Sequence, residues 1–343
     1  MLVEFNNLEI NNLHPKSEFE KKVFFFVEEW LSDSKTVKVQ TSGSTGAPKI
    51  FEIEKEKMLN SAEMTCNFLE LKNNDTALLC LPVEYISGKM MIVRSFERKL
   101  KLFISDSSLK PLENLDQEID FCAMTPLQVE NSLDKIHFIK KLIIGGAAVS
   151  ESLKKKITQT LLLFHSSTKI YETYGMSETL SHIALKEIYP KYDDYFTVFE
   201  KINISVDEKG CLKIHAPKLN SEILQTNDLV EITNGNQFKY LGRIDNVINS
   251  GGAKIFPEQL EALVKKEIPN EAVFLGMKDE SLGQRLILVI EGKESELINQ
   301  KLSIINYQQK FHKPKEIIFV EKIPRTPNGK VNRSELKSIF EKK

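Results

Sequence analysis

The sequence predicts an α/β protein with a large amino-terminal α/β body, a β-rich lobe and a small carboxyl-terminal α+β domain. Short apolar strands alternate with amphipathic helices in the first part of the chain, the pattern of a mainly parallel sheet. From about residue 197 the helical periodicity gives way to strand pairs around the turns Asp-Glu-Lys-Gly and Asn-Gly-Asn. The length of 343 residues exceeds what one hydrophobic core usually organises, so we expect two domains.

The predicted elements of the body follow one another with short connections. We expect strands at VKVQ, IFEIE, ALLCLP, KLFISD, IDFCAMTP, KKLIIGG and KIYETYG. Apolar residues at steps of three and four predict helices over KEKMLNSAEMTCNFLEL, over residues 89–100 and over ESLKKKITQTLLLF.

The lobe is expected to contain the strand pairs EKINISVDEKGCLKIHAP and DLVEITNGNQFKYLG. The rest of the chain is expected to form a helix, a hairpin, a helix, a strand and a helix. Glycine and charged residues in GRIDNVINSGG separate the strand pairs of the lobe from the mixed helices and strands that follow. We therefore predict an amino-terminal domain over residues 1–245 and a carboxyl-terminal domain over residues 246–343.

Composition and charge exclude several classes of protein. Lys and Arg number 47 against 48 Asp and Glu, so the net charge of −1 gives no electrostatic basis for a nucleic-acid partner. No apolar run approaches the ~20 residues that span a bilayer, and the amino terminus lacks a secretory signal pattern. The four cysteines lie far apart without metal-ligand spacing, which favours reduced thiols. We expect a cytoplasmic protein without a membrane span.

The loop TSGSTGAPK, residues 41–49, is the strongest local signal. Its glycines let backbone N–H groups approach an anion, its hydroxyls add donors and Lys49 adds positive charge, so phosphate is the natural guest. It is not a Walker A loop, because Pro48 stands where that motif needs Gly and a strand follows. A Ser/Gly-rich surface loop is the alternative for this segment taken alone. The candidate phosphate ligands are Thr41, Ser42, Gly43, Ser44, Thr45, Gly46 and Lys49.

A second cluster, YETYGMSE at residues 171–178, ends a predicted strand, where α/β folds place ligands. An aromatic ring can stack on a purine, and a carboxylate can hold a magnesium ion that bridges phosphates. The alternative is a tyrosine pair packed at a strand end. The segment Gly145–Ala148, between a strand and a helix, either admits a flat ring against bare backbone or forms an ordinary tight turn.

Five motifs in one order, TSGSTGAPK, YGMSE, TND, GRIDNVINSGG and PRTPNGK, resemble those of the adenylate-forming acyl-CoA ligase superfamily. The resemblance runs from about residue 37 to the end of the chain. Within the superfamily the chain is most similar to the 2-succinylbenzoate–CoA ligases of menaquinone biosynthesis. The narrower resemblance is carried by residues 81–88, 178–181 and 248–252.

This resemblance implies a two-step reaction that uses ATP, Mg²⁺ and coenzyme A. A small-molecule carboxylic acid attacks the α-phosphorus of ATP and expels pyrophosphate, and a thiol then displaces AMP to form a thioester. The resemblance also implies that the carboxyl-terminal domain is a mobile lid that swings about Asp245 between the steps. Ligation of another aryl or fatty acid, and a non-catalytic nucleotide-binding protein, are the alternatives. Neither the acid nor the oligomeric state follows directly from the sequence.

The resemblance assigns a role to each candidate residue. Lys330 is expected to neutralise charge during adenylate formation, and Glu178 is expected to hold Mg²⁺. Tyr174 is expected to stack on adenine. The other nucleotide-binding candidates are the 41–46 loop with Lys49, then Gly146, Ala147, Gly175, Met176, Ser177, Asp228 and Arg243. Among them, Gly146 and Ala147 are expected to line the adenine slot, and Asp228 and Arg243 are expected to bind the ribose hydroxyls. The acid is expected to meet Tyr85, Ser87, Gly88 and Ser181, and coenzyme A is expected to meet Gly251 and Gly252.

The chain departs from the superfamily pattern at three places. Only 40 residues precede the phosphate loop, so the wall of the acid pocket is expected to be abbreviated. Asn227 replaces the Gly of Thr-Gly-Asp, and Tyr85 stands where the 2-succinylbenzoate ligases often have His. A second carboxylate on the acid would need a cation, for which Lys89 and Arg94 are the nearby candidates. A solvated helix face is the alternative for either one.

Overall fold

The computed structural model describes residues 1–10, 13–40, 50–325 and 331–341. In chain order the strands are β1 (Leu2–Glu4), β2 (Thr36–Gln40), β3 (Ile50–Glu54), β4 (Thr76–Leu79), β5 (Lys101–Ile104), β6 (Ile119–Met124), β7 (Ile139–Ile144), β8 (Lys169–Gly175), β9 (His182–Tyr189), β10 (Phe196–Val198), β11 (Asn203–Val206), β12 (Cys211–His215), β13 (Leu224–Thr233), β14 (Gln237–Arg243), β15 (Ile248–Ser250), β16 (Ala253–Ile255), β17 (Ala272–Asp279), β18 (Gly283–Glu291) and β19 (Glu316–Val320). The α-helices are α1 (Glu18–Leu31), α2 (Lys55–Phe68), α3 (Ile86–Arg98), α4 (Pro126–Glu130), α5 (Glu151–Leu163), α6 (Pro257–Glu267), α7 (Glu296–Ser303) and α8 (Arg333–Glu341). No helix in the described ranges is long and apolar enough to cross a bilayer.

Twelve of these described strands form one mixed sheet, in the order β1-β5-β4-β6-β7-β8-β9-β10-β14-β13-β12-β11. The strands from β5 to β8 in this order run parallel, and those from β9 to β11 pair antiparallel. The predicted α/β body and β-rich lobe are confirmed. They are the two halves of one continuous sheet, since β9 pairs directly with β8.

Local sequence signals explain where the helices of the body begin. Ser17 caps α1: its hydroxyl accepts from the backbone N–H of Glu20, and the Glu20 carboxylate accepts from the backbone N–H of Ser17. Thr125 and Gln128 form the same reciprocal box at the start of α4. These side chains satisfy backbone donors that the first helical turn leaves without partners.

The 40 residues before the phosphate loop contribute β1, α1 and β2 to the body. The helix α1 is not among the predicted elements, although its buried residues Val23, Phe26 and Trp30 recur at helical steps. Trp30 meets the ring of Phe96 on α3 at a centroid distance of 6.0 Å. This segment therefore covers the helix that carries the predicted acid-binding motif.

The carboxyl-terminal part folds around the smaller sheet of β15 to β19. The predicted order of helix, hairpin, helix, strand and helix is confirmed by α6, the β17–β18 hairpin, α7, β19 and α8. The short hairpin β15–β16 is an addition to the prediction. Separate apolar clusters fill the two faces of this sheet, one containing Leu260 and Phe274 and the other Leu275 and Leu336. The domain boundary at residue 245 remains a prediction.

Candidate active site

The carboxyl ends of the parallel strands β6, β7 and β8 lie at one edge of the large sheet. The segments Gly145–Ala148 and Met176–Glu178 follow β7 and β8 at this edge. Loops at the carboxyl ends of parallel strands are where open α/β sheets bind their ligands. Two of the motifs expected from the sequence therefore share the edge that is suited to hold a ligand.

Gly145 and Gly146 leave the backbone bare after β7. The amide of Gly145 donates to the carbonyl of Met124 at 3.1 Å, and a Cβ on Gly145 would lie 2.7 Å from Oγ1 of Thr173. Gly146 has a φ of +85°, which a side chain would strain. Gly146 and Ala147 are exposed, as residues lining an open slot must be. Their contact with adenine remains a prediction.

Tyr174, near the end of β8, is half-buried and packs edge-on against Phe238, with ring centroids 4.9 Å apart. Its phenol donates a hydrogen bond to Oδ2 of Asp228 at 2.6 Å. Burial, followed by the Asp228 carboxylate, raises the pKa of Tyr174 above its ordinary value. The phenol is therefore a fixed neutral donor, and the ring is held on two sides.

Asp228 and Arg243, the residues expected at the ribose, are directly opposite each other in the β13–β14 ladder. Nη1 of Arg243 lies 3.7 Å from Oδ1 of Asp228, and the hydroxyl of Thr226 accepts from the amide of Asp228 at 3.1 Å. The structure thus brings Tyr174, Asp228 and Arg243 into one cluster, although they come from three separate strands.

A 3₁₀ turn, Ser177–Thr179, presents the expected magnesium ligand. Thr179 is buried and holds the turn, because its hydroxyl donates to the Ser181 carbonyl at 2.8 Å and accepts from the Met176 amide at 3.1 Å. Ser177 and Glu178 remain exposed on the outside of the turn. The neighbouring Gly175 admits no side chain, since a Cβ there would lie 2.4 Å from the His182 Cα.

This turn fits a magnesium ion bound together with a nucleotide. The described residues contain no group of three His, Cys, Asp or Glu side chains able to hold a metal ion without other ligands. Mg²⁺ in nucleotide sites commonly takes one or two carboxylates and completes its shell with phosphate oxygens and water. One exposed carboxylate, that of Glu178, meets this requirement.

Three of the four expected acid-binding residues, Tyr85, Ser87 and Gly88, lie at the start of α3, whereas Ser181 contacts Arg94 further along the helix. Tyr85 forms a parallel β-bridge with Gln40, the last residue of β2 before the phosphate loop. Gly88 allows the close approach of the preceding loop, since a Cβ on it would lie 2.3 Å from the carbonyl oxygen of Pro82. Ser87 is exposed on the first turn of the helix. The acid motif thus lies beside Gln40, the residue that precedes the phosphate loop in the chain.

The two candidate cations on α3 have different surroundings, and both are buried rather than solvated. Nζ of Lys89 lies 3.8 Å from a carboxylate oxygen of Glu29 and 4.1 Å from the centroid of the Phe26 ring. Arg94 is 2% exposed and donates from Nη2 to Oγ of Ser181 at 2.8 Å. Its Nε has no hydrogen-bond partner, and no carboxylate pairs with it among the residues that the structure describes.

His182 and Thr65 complete the surroundings of Ser181, and neither belongs to the predicted site. Nδ1 of His182 lies 3.3 Å from Oγ of Ser181, and its Nε2 lies 3.1 Å from Oγ1 of Thr65. The two residues are 117 positions apart, so no local sequence pattern could have joined them.

The expected hinge residue, Asp245, lies in the 3₁₀ turn Ile244–Asn246 that connects the two sheets. Its carboxylate accepts from Nη2 of Arg243 at 2.8 Å and from Nδ2 of Asn227 at 3.1 Å. The bond from Arg243 is the main cause that lowers the pKa of Asp245. Asn227, the departure from the usual glycine, thus contacts the residue that the resemblance expects to be the hinge.

Gly251 and Gly252 form the tip of the β15–β16 hairpin, with φ values of +56° and +82°. Positive φ at both positions is the requirement of a type I′ turn. The tip is exposed, as a contact with coenzyme A would require, but that contact remains a prediction. The expected phosphate loop 41–49 and Lys330 lie outside the described residues. The flanking residues pair with each other, Gln40 with Ile50 and Arg325 with Val331.

A family model described as AMP-binding enzyme matches residues 24–199. The 2-succinylbenzoate–CoA ligase of Lactococcus lactis subsp. lactis (strain IL1403) is 25% identical over 328 residues, covering 87% of this chain and 70% of that protein. The chain therefore spans about 70% of the length of this relative.

A solved structure from Dyadobacter fermentans DSM 18053, an acyl-CoA synthetase (AMP-forming)/AMP-acid ligase II-like protein, is 34% identical. The similarity covers 100% of this chain and 99% of that one, with a TM-score of 0.68. The similarity therefore extends over nearly the whole length of both chains.

The O-succinylbenzoate coenzyme A synthetase of Bacillus subtilis, solved with ATP and a magnesium ion, has a TM-score of 0.70. It is 19% identical and covers 88% of this chain and 69% of that one, a likeness that establishes the shared fold. The family match over just over half of the residues and the similarity to the Dyadobacter protein show that this chain belongs to the AMP-binding enzyme family, among the ATP-dependent acid–CoA ligases.

Proposed function

We propose that the protein is a 2-succinylbenzoate–CoA ligase, which activates this acid as an acyl adenylate and transfers the acyl group to coenzyme A. The resemblance would place that reaction in menaquinone biosynthesis. The observation that carries the choice of acid is Arg94, a buried guanidinium without a carboxylate partner among the described residues.

A buried cation without a counter-ion is unfavourable, because desolvation of a charge costs several kcal/mol that only a well-placed partner offsets. Burial lowers the pKa of Arg94 to about 10, so the side chain still carries its charge at neutral pH. A dicarboxylic acid would bring the missing anion with its second carboxylate while its first carboxylate reacts. Benzoate or a fatty acid would leave the guanidinium unpaired.

The surroundings of Lys89 exclude it as the cation that binds the second carboxylate and so favour Arg94. Its charge is offset by Glu29 and by the face of the Phe26 ring, both from α1. Recruiting Lys89 for the acid would break these contacts, whereas Arg94 has an unused N–H at Nε. Of the two cations that the sequence offers, Arg94 is therefore our candidate for the remote carboxylate.

The first chemical step brings a carboxylate to a polyphosphate, so its main requirement is to neutralise and align like charges. We assign alignment of the nucleotide to Tyr174, which Asp228 and Phe238 hold in place, and neutralisation to Lys330. Mg²⁺ held at Glu178 would supply positive charge to the phosphate oxygens. Asp228 and Arg243 would bind the ribose hydroxyls, and Gly251 and Gly252 would meet the pantetheine arm in the second step.

A panel of acids tests this function. Purified protein is given ATP, Mg²⁺, coenzyme A and one acid at a time, and the release of AMP is measured. We expect the largest kcat/KM for 2-succinylbenzoate, above benzoate and above fatty acids of several lengths. A preference for benzoate or for a fatty acid would overturn the choice of substrate, and AMP release with none of the acids would overturn the ligase activity.

A further inference from the structure

A row of polar side chains runs inward from Arg94 through the buried space between β9, α2 and α3. Arg94 donates to Oγ of Ser181 at 2.8 Å, which lies 3.3 Å from Nδ1 of His182. Nε2 of His182 lies 3.1 Å from Oγ1 of Thr65, and the Thr65 hydroxyl donates to the Ser61 carbonyl at 3.1 Å. Arg94, His182 and Thr65 are buried and Ser181 is half-buried, so water does not compete for the contact between His182 and Thr65.

Only one assignment of donors and acceptors along the row allows all four hydrogen bonds to form. Thr65 uses its single hydroxyl proton on the Ser61 carbonyl, so it can only accept from His182, and Nε2 must carry the imidazole proton. Nδ1 is then an acceptor and takes the proton of the Ser181 hydroxyl. The oxygen of Ser181 is left to accept from Arg94. In the reverse direction, Thr65 would donate to His182 and would lose its hydrogen bond to the Ser61 carbonyl. The hydroxyl proton of Ser181 would then have no acceptor in the row.

This direction requires a neutral imidazole. A protonated His182 would donate from both nitrogens, which would oppose the Ser181 hydroxyl and place a second positive charge beside Arg94. Burial, and then the charge of Arg94, hold the pKa of His182 well below its usual range. The other neighbours are the uncharged Thr65 and the ring of Phe199, whose centroid lies 5.5 Å away.

The packing of the backbone fixes the position of His182. Strands β8 and β9 are in close contact at Gly175, where a Cβ would lie 2.4 Å from the Cα of His182 and from the Ser181 carbonyl oxygen. His182 and Ser181 therefore cannot shift toward β8. Thr65 lies inside α2 and bonds the carbonyl four residues earlier in the same helix, so the far end of the row is anchored too.

We propose that His182 and Thr65 are positioning residues for acid recognition, acting through a directed row of hydrogen bonds that fixes the orientation of the Arg94 guanidinium. The row engages Nη2, while Nε is buried and has no hydrogen-bond partner in the described part of the chain, and we assign this N–H to the second carboxylate of the acid. Neither residue touches the reacting carboxylate, so they set KM for the diacid and not kcat. This inference rests on the proposed function for its kinetic consequence, but the protonation pattern stands by itself.

The kinetic test compares Thr65→Val with Thr65→Ser. Valine keeps the shape but removes the hydroxyl that accepts from His182, whereas serine keeps the hydroxyl and is the matched control. We expect Thr65→Val to raise KM for 2-succinylbenzoate about 3- to 10-fold, the effect of one neutral hydrogen bond, without changing KM for benzoate or kcat. Thr65→Ser should match the wild type. An equal change for both acids, or none for the diacid, would overturn the positioning role.

A second measurement needs no substrate and therefore separates this inference from the choice of acid. Long-range proton–nitrogen NMR of histidine-labelled protein reports the tautomer of each imidazole, and His182→Gln identifies the His182 signals. We expect His182 to remain neutral with its proton on Nε2 at a pH below the usual histidine pKa of ~6.5, because burial and the charge of Arg94 lower its pKa. A proton on Nδ1, or a positively charged His182 at that pH, would overturn the directed row even if the ligase activity is confirmed.

Discussion

The side-chain amide of Asn227 donates to the carboxylate of Asp245, with Nδ2 and Oδ2 3.1 Å apart. Asp245 lies in the turn that connects the two sheets, and Arg243 holds the same carboxylate oxygen at 2.8 Å. The usual glycine at position 227 could not make this contact. The chain thus carries an additional restraint on the segment about which the resemblance expects the small domain to rotate.

We predict that Asn227→Ala speeds thioester formation from a supplied acyl adenylate about two- to fivefold, because one exposed hydrogen bond no longer opposes rotation at Asp245. Alanine removes the amide without the additional backbone freedom of glycine. The measurement is single-turnover consumption of the adenylate by coenzyme A. Asn203→Ala, an exposed asparagine on β11, is the control. A slower reaction in Asn227→Ala would show that the contact aids the second step and does not restrain it.

Tyr174→Phe should raise KM for ATP about tenfold or more while the ring stays in place. The lost phenol is a donor to the Asp228 carboxylate, and hydrogen bonds to charged groups contribute about 1.5–3 kcal/mol. Initial rates at varied ATP and saturating acid measure the effect. Tyr171→Phe, on the same strand, should leave KM for ATP unchanged. Similar KM values for ATP in both variants would contradict the assignment of Asp228 and Tyr174 to the nucleotide site.

The parallel strands β4, β6 and β7 could be predicted from sequence because each is a short apolar run bounded by turn residues. Strand β9 is not among the predicted elements, since its residues are largely buried on both faces and the alternation of a half-exposed strand is absent. The environments of Lys89 and Arg94 could not be separated either. Glu29 reaches Lys89 from a helix 60 positions earlier, and only the packed structure brings the two together.

The nucleotide-binding motifs could be recognised in the sequence more easily than the packing contacts that hold these motifs in place. Gly145, Gly175 and Gly88 are required by close approaches that depend on neighbouring strands and loops. The row from Arg94 to Thr65 joins three elements that are distant in the chain. The sequence around Ser181, His182 and Thr65 does not mark them, because only their burial and their distances from one another distinguish them.

Wild-type protein should lose stability through His182 as the pH falls below about 6.5. The folded state lowers this pKa, so in that range the unfolded chain binds a proton that the folded chain does not. The free energy of unfolding then falls by up to about 1.4 kcal/mol per pH unit until the folded-state pKa is reached, and above pH ~6.5 the contribution is constant. Urea unfolding of the wild type and His182→Gln should diverge only below that pH. Parallel curves would contradict the prediction.

Lys330→Ala should nearly abolish adenylate formation yet spare thioester formation from a supplied acyl adenylate. The loss of one preorganised charge costs a factor of about 10²–10³ in rate. Acid-dependent exchange of pyrophosphate into ATP measures the first step, and release of AMP from the adenylate with coenzyme A measures the second. Lys322→Ala, an exposed lysine shortly before the loop, is the control. Equal losses in both steps would reject a role restricted to adenylation.

The kinetics of Arg94→Gln and Lys89→Gln test most directly the claim that Arg94 selects an acid with two carboxylates. The measured quantity is the ratio of kcat/KM for 2-succinylbenzoate to kcat/KM for benzoate. We predict that Arg94→Gln lowers this ratio about 10- to 150-fold, the effect of one charge-assisted hydrogen bond, and that Lys89→Gln leaves it unchanged. An unchanged ratio in Arg94→Gln, or a loss that appears in Lys89→Gln instead, would contradict the account.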